Sequence, residues 1–215
     1  INLEQYRDRV SKLQLSVPEM ANYYTPTIAK LLSIIEEMAV LSSNTKISNA
    51  ITAYTSFLQG KERAGIERAM GGAGFGAGYF SPVIYKRFIE LIAQQETYFG
   101  LFDVYGSEQQ KGFFNSTLVG PDVDEVVRMR KIVIDSIETN DTQDIEGPYW
   151  FETMTRKIDL LKRVEDRIDA DLTQLAGEVQ SDAQTVFYMS SLLTFIVLLI
   201  TVGLVISVVC SNPSG

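Results

Sequence analysis

From Val186 to Val209 the chain reads VFYMSSLLTFIVLLITVGLVISVV, 24 residues without a charge. At about 1.5 Å of rise per residue, a helix of that length crosses a ~30 Å hydrocarbon core with some allowance for tilt. A buried core helix is the competing interpretation, but core helices are usually shorter and keep a polar stripe. A position near the C-terminus excludes a secretory signal. Three parts are expected: a helical, N-terminally truncated domain over 1–182, a transmembrane helix over 186–209 and a short tail over 210–215. The residues before the apolar run are charged and water-compatible in composition.

Composition narrows the chemistry. Net charge is −8, and no basic face of the kind that neutralises phosphates is visible, so nucleic acid is not an expected partner. The single cysteine, Cys210, lies at the end of the apolar run, so the domain before it holds no disulfide and no thiolate metal site. Histidine is absent, which removes the commonest general base, the commonest metal ligand and every Ser-His or Cys-His pair. No cofactor and no enzymatic activity are expected.

Helical periodicity runs through nearly all of the domain. Leu3, Tyr6, Val10, Leu13 and Val17 alternate at spacings of three and four, so Ile1 opens inside a helix. Segment 27–58 carries Ile28, Leu32, Ile35 and Ala39, then Ile47, Ile51, Tyr54 and Leu58. Ser81 and Pro82 are set as N-cap and first residue of a helix over 82–105. Gly120-Pro121-Asp122 opens a helix to about Thr139, and Gly147-Pro148 opens the last. Breaks are expected near Pro18, Pro26, Gly106–Gly112 and Asn140–Gly147. The last helix has the best periodic run, Met154, Ile158, Leu161, Ile168, Leu172, Leu175 and Val179, with Glu165, Asp166, Arg167, Asp169 and Asp171 as a solvated face. Strand-like alternation is almost absent. The expected fold is all-α: one or more bundles of long helices, followed by one transmembrane helix. A helix continuous with the apolar run could pass a displacement across a bilayer or serve as a simple stalk; both remain open.

Residues 60–81, GKERAGIERAMGGAGFGAGYFS, combine three cations with a run of small residues. Glycine costs up to ~1 kcal/mol per residue inside a helix, so close approach to a neighbouring helix or to a ligand must offset it. Lys61 and Arg68 stand seven apart and share a helical face, whereas Arg63 points elsewhere and can pair with Glu67. Surface ion pairs are the alternative. In 121–139 the expected inward stripe is Val123, Val126 or Val127, position 130, Val133 or Ile134, and Ile137, which puts Arg130 where an aliphatic belongs. A buried guanidinium needs a carboxylate or a bound anion, and its planar fork suits a small oxyanion. Snorkelling and an internal salt bridge stay open for it.

GKERAGIERA, the small-residue stretch after it, FIELIAQQETYFGLF and the later WFETMTRKIDLLKRVEDRI from Trp150 resemble the nitrate- and nitrite-sensing (NIT) domain over about residues 25–180. That family is an all-helical sensor of chemoreceptors, sensor kinases, nucleotide cyclases and transcription antiterminators. The resemblance implies binding of nitrate or nitrite between helices, with arginines as main ligands, and gives Arg68 the role of the motif arginine. A second anion-contacting arginine of the family lies in a more N-terminal helix; the contexts of Arg7 and Arg9 do not match it. The expectation is a sensory receptor domain anchored in the cell membrane and lying outside the cytoplasm, binding a small anion through Arg68, Arg63, Arg130, Lys61 and Gly65. It would signal through its last helix into the bilayer and act as a homodimer, as the heptad-like run over 154–179 suggests. A ligand-free helical stalk or protein-interaction domain is the alternative.

Overall fold

The computed structural model describes residues 3–211 except Leu13, Ser16 and Asn140, with side chains also left aside at 17, 18, 20, 21 and 208–211. The expectations placed on Ile1, Leu13, the Val17 side chain and most of the 210–215 tail lie outside the described residues. Seven helices follow in order: α1 Leu3–Ser11, α2 Val17–Leu41, α3 Thr45–Ala77, α4 Pro82–Tyr105, α5 Glu108–Thr117, α6 Pro121–Thr139 and α7 Gly147–Ser211. Among the described residues there is no strand, and the all-α expectation holds.

Local chemistry sets most of the helix ends. The Asn44 side chain accepts from the amides of Lys46 and Ile47, starting α3. Gly78, at φ 75° in the left-handed region, closes α3 by donating to the carbonyls of Gly74 and Phe75. Ser81 caps α4 with Pro82 at the first position, as the sequence predicts. Ser107 and Gln110 form a reciprocal capping box that starts α5.

Several boundaries depart from expectation. Segment 27–58 is not one helix: it divides at Ser42–Asn44, where the Asn44 cap takes over. Pro26 lies inside α2 rather than breaking it; the missing N–H costs one backbone bond, and flanking turns carry the helix on. The break expected over Gly106–Gly112 is confined to its first residues, because the capping box nucleates α5 there. The first helix stops at Ser11, short of the run expected to reach Val17.

The chain falls into two compact units, residues 1–170 and 171–215. In the first, α3 packs along α2 and α4, and α4 touches α6. Its core holds Phe57, Phe88, Leu91, Phe102, Met129, Trp150, Met154 and Leu161, all 1 % exposed or less. Aromatic rings make two sets: Phe57 meets Phe99, Phe102 and Phe114, and Trp150 meets Phe75 and Phe88. Each buried large apolar side chain contributes about 1.5–3 kcal/mol relative to exposure, and the ring pairs add about 0.5–1.5 kcal/mol each.

The small-residue run of α3 serves this core. A Cβ at Gly71 would run into the Trp150 indole, one at Gly74 into the Phe80 ring and one at Gly60 into Phe99. Glycine is required at these three positions by aromatic rings seated directly on the α3 backbone.

The second unit is the later part of α7. Its large apolar side chains from Val186 to Ile206 are all exposed, and it contains the one described helix segment long and apolar enough to cross a membrane, with mean hydropathy 2.6 over the window.

Candidate functional site

Three of the five sequence-predicted residues meet in one place. Lys61, Gly65 and Arg68, on a single face of α3, line a cleft of about 270 Å³ closed by Ile28 and Leu32 of α2 and by Ile158 and Glu165 of α7. Spacings of four and three along α3 place them on successive turns. Gly65 has nothing within 4 Å of where a Cβ would stand. Unlike Gly60, Gly71 and Gly74 it faces open space, and its lack of a side chain widens the cleft.

Of the two cations in the cleft, Arg68 is the one that pairs with no acid among the described residues. Its Nη1 donates to the Thr155 hydroxyl at 2.9 Å, and that hydroxyl passes its own hydrogen to the Phe151 carbonyl at 2.7 Å. The guanidinium carbon lies 4.4 Å from the Phe151 ring centroid. Its Nε is buried with no hydrogen-bond partner, alone in this among the described residues. Trp150 fixes the backbone beneath it by donating Nε1–H to the Arg68 carbonyl at 2.9 Å. A buried guanidinium donor left unmade costs more than an ordinary lost hydrogen bond.

Lys61 differs, because it bonds the Glu165 carboxylate across the cleft. Both side chains are largely withdrawn from water, at 22 % and 17 % exposure. Glu165 therefore does not belong to the solvated face that sequence assigns it, though Asp166, Arg167 and Asp169 are exposed. Glu62, also on the cleft wall, has its carboxyl pushed up by burial, against the lowering influence of Arg63 and Lys61.

The other two predicted residues lie elsewhere. Arg63 does not pair with Glu67. It bonds the Gln59 side chain and stacks 4.8 Å from the Tyr98 ring centroid, because Glu67 faces the interior. Arg130 meets that glutamate in a fork, Nε to Oε1 at 2.7 Å and Nη2 to Oε2 at 2.6 Å, and donates to Gln95 Oε1 at 2.9 Å. Gln95 in turn donates to Glu67 Oε2 at 2.8 Å. Of the alternatives left open for Arg130, the internal salt bridge is the one formed. Of the alternatives for the inward face of α6, Val126 and Val133 are the buried ones, together with Met129, Ile132 and Ser136, while Val127, Ile134 and the expected Ile137 are exposed.

Sequence reading misses Glu67 and Gln95 as the partners of Arg130, Thr155 as the partner of Arg68, and Lys157. Lys157 is buried beside Arg130 and Glu67 and makes no hydrogen bond or ion pair among the described residues; burial first, then the Arg130 charge, push its pKa down to about 8. Its place one residue before the apolar Ile158 is the only signal in the sequence. No group of acidic residues, cysteine or histidine among the described residues is arranged to hold a metal.

Comparison with known proteins points one way. The chain matches the family described as nitrate and nitrite sensing over residues 2–173. It is 27 % identical over 177 residues to the nitrate regulatory protein of Klebsiella oxytoca, a match covering 81 % of this chain and 43 % of that protein. The solved structure of the NasR transcription antiterminator aligns with a TM-score of 0.70 at 26 % identity, over 82 % of this chain and 47 % of that one. The chain thus spans less than half the length of these relatives. Their names correct one expectation: they are a regulatory protein and a transcription antiterminator, and give no support to a membrane-anchored receptor that signals into the bilayer. What survives is the sensory part, for the match takes in the cleft, the small-residue helix and the Trp150 segment together, and the chain belongs to the nitrate- and nitrite-sensing family.

Proposed function

We propose that the cleft between α2, α3 and the first part of α7 binds a small planar oxyanion, nitrate or nitrite, with Arg68 as its principal ligand and Lys61 as a second cation. The observation that carries this reading is Arg68 itself: a guanidinium on the cleft wall with no acidic partner and a buried Nε–H that nothing among the described residues accepts. A nitrate oxygen is a charge-assisted acceptor for that donor. The volume of about 270 Å³ holds such an ion with several waters at about 30 Å³ each. Membership of a nitrate- and nitrite-sensing family supports the ligand class. Arg63 and Arg130 are left out, since each is already committed to partners away from the cleft.

Titration calorimetry of the full chain in mild non-ionic detergent tests this, with nitrate, nitrite and chloride in turn. Arg68→Ala is expected to lose nitrate binding at least a hundredfold while keeping its helical circular dichroism, since a charged hydrogen-bonding partner is removed from a half-buried site. Unchanged affinity would move the site elsewhere.

Residues 186–209 are a separate matter, independent of any signalling route. Their length and fully exposed apolar side chains support a bilayer-crossing segment.

A further inference from the structure

Within the proposed cleft, one tie between the α3 and α7 walls is an ion pair. Lys61 of α3 holds Oε2 of Glu165 on α7, and Lys162 approaches Oε1 of the same carboxylate at 3.6 Å. Arg68, on the same α3 face, has no carboxylate partner among the described residues. A carboxylate and a nitrate present a lysine with similar groups: planar, delocalised, with negatively charged oxygens.

We infer that Glu165 is the resident competitor of the anion: it holds Lys61 while no ligand is bound, and an oxyanion bound on Arg68 takes Lys61 from it. This rests on the cleft being the oxyanion site. Three features support it. The pair spans the cleft and lines it on both sides. It is mostly shielded from water, where a charge is felt more strongly. Finally, Glu165 keeps Lys162, which also bonds Asp166 and is more exposed at 52 %, within 3.6 Å when Lys61 is lost, so displacement does not leave its charge without a counterion. Glu165 therefore sets how much anion is needed to fill the site. Ligand binding would also release one tie between α3 and the part of α7 over 147–170.

Glu165→Gln keeps the shape and removes the competing charge. It is expected to bind nitrate about tenfold more tightly than the parent chain, while its melting temperature without ligand falls or stays level. A purely bracing glutamate predicts the opposite for affinity, so equal or weaker binding overturns the inference. Should that variant fail to fold, the wild-type chain still decides: the Lys61 side-chain ¹⁵N resonance, identified by its loss in Lys61→Arg, is expected to move on saturation with nitrate, and a stationary resonance overturns the inference. Nitrate binding that needs Arg68 but ignores Glu165→Gln defeats this inference alone. Absence of binding by both the wild type and Glu165→Gln defeats the oxyanion site with it.

Discussion

At the scale of single residues, α3 carries charged side chains with opposite fates. Glu67 goes inward and is neutralised by Arg130; Arg68, its neighbour in sequence, goes to the cleft and stays unpaired by any acid. One helical residue turns the chain by about 100°, enough to send two adjacent side chains into different environments. Lys157 sits with the buried pair as a second cation, its pKa lowered to about 8. Because its folded pKa lies below the unfolded value near 10.5, the unfolded chain binds more protons between the two. Stability is therefore expected to rise with pH from about 8 to 10.5. Lys157→Met should stabilise the chain at pH 7 by about 1–3 kcal/mol and flatten that rise, as urea unfolding at pH 7 and 9.5 would show; a destabilised variant with an unchanged profile would count against a desolvated Lys157 ammonium. Sequence could flag Arg130 as needing a partner, because it interrupts an apolar stripe. It could not supply Glu67, 63 residues away, whose own neighbours suggested a local pairing with Arg63.

At the scale of elements, what was legible followed locality. Ser81-Pro82, Gly120-Pro121 and Gly147-Pro148 mark the starts of α4, α6 and α7 because a cap is decided by adjacent residues. The α2–α3 break and α5 escape a reading by periodicity although Asn44 and the Ser107–Gln110 box carry the same kind of signal: the apolar period runs across the first, and Gly112 looks like a breaker at the second. The glycines of α3 show why composition underdetermines role. Gly71 lies under the Trp150 indole, whereas Gly76 has open space where a Cβ would stand. Gly71→Ala is expected to cost about 1–3 kcal/mol by overpacking, and Gly76→Ala to gain about 0.5–1 kcal/mol from helix propensity. Thermal melts of the two variants should thus move in opposite directions. The seven-residue spacing of Lys61 and Arg68 made half of the cleft readable; Glu165, 104 residues from Lys61, comes from folding alone.

At the scale of the whole molecule, a unit with a well-filled aromatic core and a unit with no buried side chain between Asp171 and Ile206 belong to one chain. Contiguous exposed apolar surface of that extent is a liability in water. The full chain is expected to sediment as large aggregates in detergent-free buffer and as a defined species in non-ionic detergent; a monodisperse species without detergent would show that the apolar surface is covered by some other means. The all-α class was legible because it rests on long-range composition and periodicity. The regulatory context of the relatives was not, since nothing in a cleft says what reads its occupancy. One packing detail has a practical side. Trp150 is the chain's sole tryptophan, and its indole N–H rests on the carbonyl of the residue whose side chain is offered to the anion. The protein thus carries its single indole, which can be excited apart from the tyrosines, on the backbone of its candidate anion ligand, an optical readout of that position that requires no label.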